Sequence, residues 1–201
     1  MEKKYLVTSW DDGSKHDIRL AKLLIKYNIP AIFYIPNQCE LLNSQIIDLS
    51  KIFTIGGHTV NHPIDMKLLT YEEQLTEISD NKKWLESFIG KKISSFCYPA
   101  GKGDEVTIKA VSDAGFNEAR RASWGNTEYP KDLYNIRPTA FVHPDKEKFG
   151  GKSWYDYAFN LVGCEYYHLW GHSNDLEKYD LWQELENLFI VMSNSYETLH
   201  T

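Results

Sequence analysis

Short apolar runs alternate with stretches of helical periodicity along almost the whole chain. The run KYLVTSW at 4–10 reads as a strand. SKHDIRLAKLLIKYN at 14–28 follows as a helix, with Ile18, Leu20, Leu23, Leu24 and Tyr27 near helical spacing. PAIFYIPN at 30–37 is a second strand, SQIIDLSK at 44–51 a short helix and IFTIGGH at 52–58 a third strand. Thr70 and Glu73 make a capping box for a long helix through about Ile89, which Gly90 ends. KISSFCYPAG at 92–101 is a fourth strand, and EVTIKAVSDAG at 105–115 a helix that again ends in glycine. FNEARRA, YNIRPTAF and CEYYHLWGH are three further strand candidates; SWYDYAFNLV and LWQELENLFIVMS are later helices.

Strands joined by crossover helices build a parallel sheet. Six or seven of them in 201 residues predict an α/β fold, a distorted, incomplete (β/α)7-type barrel that is TIM-barrel-like, spanning 1–201 as a single domain. A doubly wound open sheet is the alternative. In a barrel of this kind the chemistry sits on the loops at the carboxyl ends of the strands. Those ends carry DDG after the first strand, GGHTVNH after the third, YPAG after the fourth, Arg120 and Arg121 at the fifth and WGHS after the last. Ligand-capable groups thus recur at one end.

Composition narrows the partners. A net charge of −6 with scattered Lys and Arg offers no basic surface, which argues against nucleic acid. No apolar stretch reaches the length for export or membrane spanning, so the chain as given reads as cytoplasmic, with no membrane partner. Cys39, Cys97 and Cys164 are odd in number and far apart, which suits reduced thiols. The pattern sets no oligomeric state.

His58 and His62 are spaced to bring both imidazoles to one side of a turn, within reach of one ion. Gly56 and Gly57 permit close backbone approach, and Pro63 limits continuation of the turn. A turn or cap explains one of Asp11 and Asp12 but not both. Near a divalent ion the pair makes sense as one ligand and one base beside bound water. His172 follows an apolar segment; a core histidine is the ordinary reading, and a general acid or base is the functional one. His168 lies within the strand and reads as structural, while His16, His143 and His200 have no companion pattern.

TSWDDG, then HTVNH some 46 residues later, then FCYPAG and HLWGHS, resemble in kind and order the motifs of the NodB-homology polysaccharide deacetylases. These are metal-dependent carbohydrate esterases with a distorted barrel, and the likeness runs from Thr8 to His172. It implies that Asp12, His58 and His62 ligate a divalent metal, most readily Zn2+, with Co2+, Ni2+, Mn2+ or Fe2+ also able to bind. It further implies that Asp11 is the base, that the Ala100 backbone N–H helps hold the oxyanion and that His172 protonates the departing amine. The expected reaction removes N-acetyl groups from an amino sugar or glycan and releases acetate. A cyclic imide or ureide substrate, and a non-catalytic carbohydrate-binding relative, are the alternatives.

The chain departs from the family pattern in places. Cys97 stands where many members have Arg, and Ala100 where they have Tyr. Arg120, in preference to Arg121, is expected to replace the missing charge and orient Asp11. Trp170 takes roughly the place of a Leu lining the acetyl pocket, with Tyr98 and Pro99 expected alongside it. Asn174 or Asp175 is expected to orient the site. The family's Asp-rich, Trp-containing fourth motif has no clear counterpart, and Trp124 receives no role.

Overall fold

A computed structural model describes residues 4–196. Seven strands alternate with helices: β1 (Tyr5–Asp11), α1 (Asp17–Lys26), β2 (Ala31–Ile35), α2 (Asn43–Ser50), β3 (Thr54–Gly57), α3 (Tyr71–Ile89), β4 (Ser95–Cys97), α4 (Glu105–Asp113), β5 (Glu118–Arg120), β6 (Ala140–Phe141), α5 (Trp154–Asn160), β7 (Tyr166–Gly171), α6 (Ser173–Lys178) and α7 (Trp182–Ser195). The strand order is β5-β4-β3-β2-β1-β7-β6. This is the incomplete (β/α)7-type barrel that the alternating pattern predicts.

Contacts group the chain into two compact units. One takes the N-terminal segment through Ile32, Trp124–Tyr129 and the chain from Pro138 onward; the other takes Phe33–Ser123 and Pro130–Arg137. In the first unit β1 pairs in parallel with β7, from Tyr5 opposite Tyr166 to Trp10 opposite Gly171, and β6 pairs with the other edge of β7. All six residues of β7 are buried, as expected of a strand covered on both faces. Apolar side chains of α1 and α7, including Leu20, Leu24, Leu185 and Phe189, are fully buried in the same unit. In the second unit β3, β4 and β5 run parallel, and α3 buries Ile78, Asn81 and Leu85.

The local signals operate as expected at α3. Thr70 Oγ1 accepts from the Glu73 N–H, the Glu73 carboxylate accepts from the Thr70 N–H, and Gly90 closes the helix at φ 71°. Two elements differ from the expected pattern. The strand expected over 134–141 is interrupted at Pro138, which has no N–H to give a ladder. Ile136 bonds to the backbone of Ala119 in β5 and of Arg121 just after it, and Ala140–Phe141 is the part that pairs with β7. The polar stretch after His172 forms the short helix α6, whose buried side chains are Ser173 and Leu176.

Gly56 has a packing reason. A Cβ there would lie 2.3 Å from the Tyr34 ring, whose hydroxyl is bonded to Ser95 Oγ at 2.8 Å in the core of the second unit. Among the described residues no helix is long and apolar enough to cross a membrane. Gly56→Ala is expected to lower stability by about 2 kcal/mol, as overpacking of a tight core does. Urea unfolding followed by circular dichroism measures this, and an unchanged midpoint would contradict the close packing.

Candidate functional site

The first unit carries a carboxylate and imidazole cluster. β1 ends at Asp11, which is 4% exposed, and the chain then turns through Asp12 at φ 79° and Gly13 at φ 61°. An aspartate tolerates this left-handed conformation better than most residues, and two such residues in succession form the turn that ends the strand. Because Trp10 lies opposite Gly171 in the β1–β7 ladder, the residues just beyond both strands emerge side by side. His172 follows β7 and precedes α6, with Nε2 3.6 Å from Asp12 Oδ2 and Nδ1 3.5 Å from Asp175 Oδ2. Burial alone pulls the imidazole pKa down. The hydrogen bond to Asp175 and the charges of Asp11 and Asp12 outweigh that, so the net shift is upward. Asn174 is engaged elsewhere, accepting from Ser14 Oγ at 2.7 Å. Asp175 is therefore the neighbour that meets His172.

Asp17 lies behind this cluster and the motifs do not flag it. It is fully buried at the start of α1, and Ser173 Oγ donates to its Oδ1 at 2.6 Å. Burial, aided by the charges of Asp11 and Asp12, pushes its pKa up to about 7 against the opposing effects of Ser173 and His172. An acid in the first turn of a helix reads in sequence as a dipole effect. Only the fold shows that this one is buried and tied to the residue after His172.

Trp170 is 6% exposed, stacks on Phe141 at 4.8 Å and meets His172 at 5.5 Å in a T-shaped contact. Trp124 joins the same aromatic group through Phe141 and Phe149. His168 is 2% exposed, with Ser9 Oγ 2.7 Å from Nε2 and Tyr166 Oη 2.9 Å from Nδ1. Both ring nitrogens are engaged inside the core, which agrees with a structural role.

The second unit carries the histidine pair. Gly57 ends β3 where a Cβ would meet Phe116 at 2.8 Å and Asn81 Oδ1 at 2.9 Å. His58 is 1% exposed. Its N–H donates to Asn81 Oδ1 at 2.9 Å, and its Nδ1 lies 2.8 Å from the Cys97 carbonyl. A carbonyl only accepts, so Nδ1 carries the hydrogen and Nε2 carries the lone pair. The His58 and His62 rings are 4.7 Å apart, and one ligand nitrogen of each lies within 4.8 Å of the other. Two neutral imidazoles at this separation fit a divalent ion of borderline softness such as Zn2+.

Arg120 and Arg121 separate clearly. Arg120, at the end of β5, is fully buried; its Nη2 donates to Cys97 Sγ at 2.9 Å and its guanidinium faces the Tyr34 ring. Arg121 donates instead to Asn135 Oδ1 and the Gly103 carbonyl and lies over the Tyr98 ring. A guanidinium thus sits against the Cys97 side chain. Tyr98 and Pro99 are buried, and Tyr98 Oη donates to the Tyr134 carbonyl at 2.9 Å. Ala100 is exposed at φ 50°, and Gly101 packs so closely on Ala122 that a Cβ would lie 2.5 Å away.

The polysaccharide deacetylase family model matches residues 1–119. The Bacillus subtilis (strain 168) protein YxkH, named as a polysaccharide deacetylase, is 28% identical over 142 residues. That match covers 67% of this chain and 50% of YxkH, so the chain spans half the length of that relative. The family 4 carbohydrate esterase from Streptomyces lividans, solved in complex with acetate, superposes with a TM-score of 0.62 at 14% identity, covering 97% of this chain and 88% of the other. BA3943 from Bacillus anthracis, described as a CE4 family pseudoenzyme, superposes with a TM-score of 0.64 at 14% identity, covering 94% and 62%. Both share the fold.

Asp175→Asn removes a charge and a strong acceptor that favour the imidazolium of His172. Its pKa is therefore expected to fall below that of the wild-type protein in an NMR pH titration of metal-free samples. An unchanged His172 titration would contradict the pairing.

Proposed function

The chain belongs to the polysaccharide deacetylase family, and on that premise we propose that it hydrolyses the acetamide of an N-acetylated amino sugar, oligosaccharide or polysaccharide, releasing acetate and a free amine. The observation that carries this reading is the orientation of His58. Its Nδ1–H rests on the Cys97 carbonyl, which leaves Nε2 to act as the ligand atom, and one ligand nitrogen of each histidine lies within 4.8 Å of the other. We assign Asp12 as the third protein ligand from its place in TSWDDG. A divalent cation held by two imidazoles and a carboxylate, zinc being the best match, supplies Lewis acidity and a water of lowered pKa.

The chain's own residues then divide the proton work. Asp11, nearly buried at the end of β1, is the base that takes the proton of the attacking water. His172 is the acid that gives a proton to the leaving nitrogen, an amine being a poor leaving group without one. Its place directly after β7, beside the carboxylates that end β1, supports that role. Asp175, 3.5 Å from Nδ1, holds the ring so that Nε2 is the donating atom. The Ala100 N–H, on a loop held in the left-handed region, donates to the developing oxyanion. Arg120 fixes the Cys97 end of β4 and orients the base, while Trp170, backed by Phe141, forms the apolar wall for the acetyl methyl group.

The test is acetate release from N-acetylglucosamine oligomers by protein loaded with Zn2+. Asp11→Asn is expected to lower release by about 100-fold or more while the metal content is retained, the usual scale for loss of a general base. Asp12→Asn is expected to lose the metal. Full turnover in Asp11→Asn would overturn the assignment of the base. Glycan binding without acetate release under any divalent metal would favour a non-catalytic carbohydrate-binding protein, and turnover of cyclic imides alone would favour that substrate class.

A further inference from the structure

We infer that Glu77 and Asn81, one turn apart on α3, are positioning residues that set how tightly the His58–His62 loop holds its cation. The inference rests on the metal reading of these histidines. The loop is costly to form: Thr59 lies at φ 68° and His62 at φ 48°, a left-handed conformation that is an outlier for a β-branched residue such as Thr59. A loop with two such residues keeps its shape only if its surroundings determine it.

Helix α3 supplies that determination from one face, since positions four apart lie over one another. Asn81 is fully buried. Its Oδ1 accepts from the His58 N–H at 2.9 Å, and its Nδ2 donates to the Ile35 carbonyl at 3.0 Å and to Asn37 Oδ1 at 2.9 Å. The amide has one workable orientation, because the flipped group would set an NH2 against the His58 N–H. Asn37 in turn donates its own N–H to the Thr59 carbonyl. One turn earlier, Glu77 Oε2 accepts from the N–H groups of Val60 at 3.0 Å and Asn61 at 2.8 Å, and Oε1 accepts from Asn61 Nδ2. Successive N–H groups converging on a carboxylate make a strong local anchor. The Thr59 hydroxyl completes the arrangement by accepting from the His62 N–H at 3.0 Å.

Every residue from His58 to His62 is therefore tied by its backbone to α3, to Asn37 or to the Thr59 hydroxyl of the loop itself. The His62 N–H rests on the Thr59 hydroxyl, so the position of its ring follows from the loop. Weakening the anchor lets the two imidazoles separate, and the cation then carries the cost of bringing them together. Loss of an outer partner of this type lowers metal affinity by roughly 10-fold to 100-fold.

The test measures Zn2+ affinity by chelator competition, together with hydrogen exchange of the Val60 and Asn61 amides in the metal-free protein. Glu77→Ala is expected to weaken Zn2+ binding by 10-fold or more and to speed exchange at both amides. Glu77→Gln, whose amide oxygen still accepts, is expected to recover most of both. Asn81→Ala should weaken binding similarly, while Asp80→Ala on the same helix, removing an exposed partner of Lys83, should leave affinity unchanged. Zn2+ affinity in Glu77→Ala equal to wild type, with His62→Ala losing the ion, would overturn the positioning role. Wild-type affinity in His62→Ala would instead overturn the metal reading, and this inference with it.

Discussion

The contact between His58 Nδ1 and the Cys97 carbonyl is the constraint on which the candidate site depends. It joins the residue after β3 to the last residue of β4 and selects the ring tautomer in one step. Without it, either nitrogen of a buried imidazole could face a ligand, and the pair with His62 would have no defined direction. The β3–β4 pairing, with Gly57 opposite Phe96, brings the two strand ends level. The bare glycines at 56 and 57 let Tyr34, Phe116 and Asn81 close in around them. Packing, not the histidine spacing alone, thus decides where the imidazoles point.

The other unit shows the same logic with different chemistry. The β1–β7 register makes neighbours of Asp11 and Asp12 at the end of β1 and His172 just after β7. Burial would by itself disfavour a charged ring there. The nearby carboxylates reverse that tendency, and Asp17, buried behind Ser173, adds a group whose own pKa is lifted to about 7. The cluster is electrostatically tense, with burial and neighbouring charge both acting on His172 and Asp17. Trp170 stacks on Phe141 and meets the His172 ring edge to face.

Much of this was legible in the residues. The alternation of apolar runs and helical stretches identified the parallel sheet, and the capping box at Thr70 with Gly90 bounded α3 within a residue. The strand over 134–141 was misjudged because periodicity outweighed Pro138, whose missing N–H interrupts it. The spacing of His58 and His62 suggested their proximity, and the structure brings their rings to 4.7 Å. The contributions of Asn81, Glu77 and Asp17 were not legible, since a polar residue in a helix ordinarily faces solvent. Their roles depend on which face the tertiary packing turns inward. Arg120 and Arg121 are adjacent in sequence and point to different partners for the alternation reason that governs any strand.

The central claim is that His58 and His62 hold one divalent cation through nitrogens oriented by the fold. Nitrogen-15 NMR of the imidazoles during Zn2+ titration tests it most directly. The account predicts that Nε2 of His58 shifts on binding at one equivalent while Nδ1 keeps its proton, and that a His62 nitrogen shifts in step. Zinc bound at Nδ1 of His58, or a titration that leaves both rings unchanged, would contradict it.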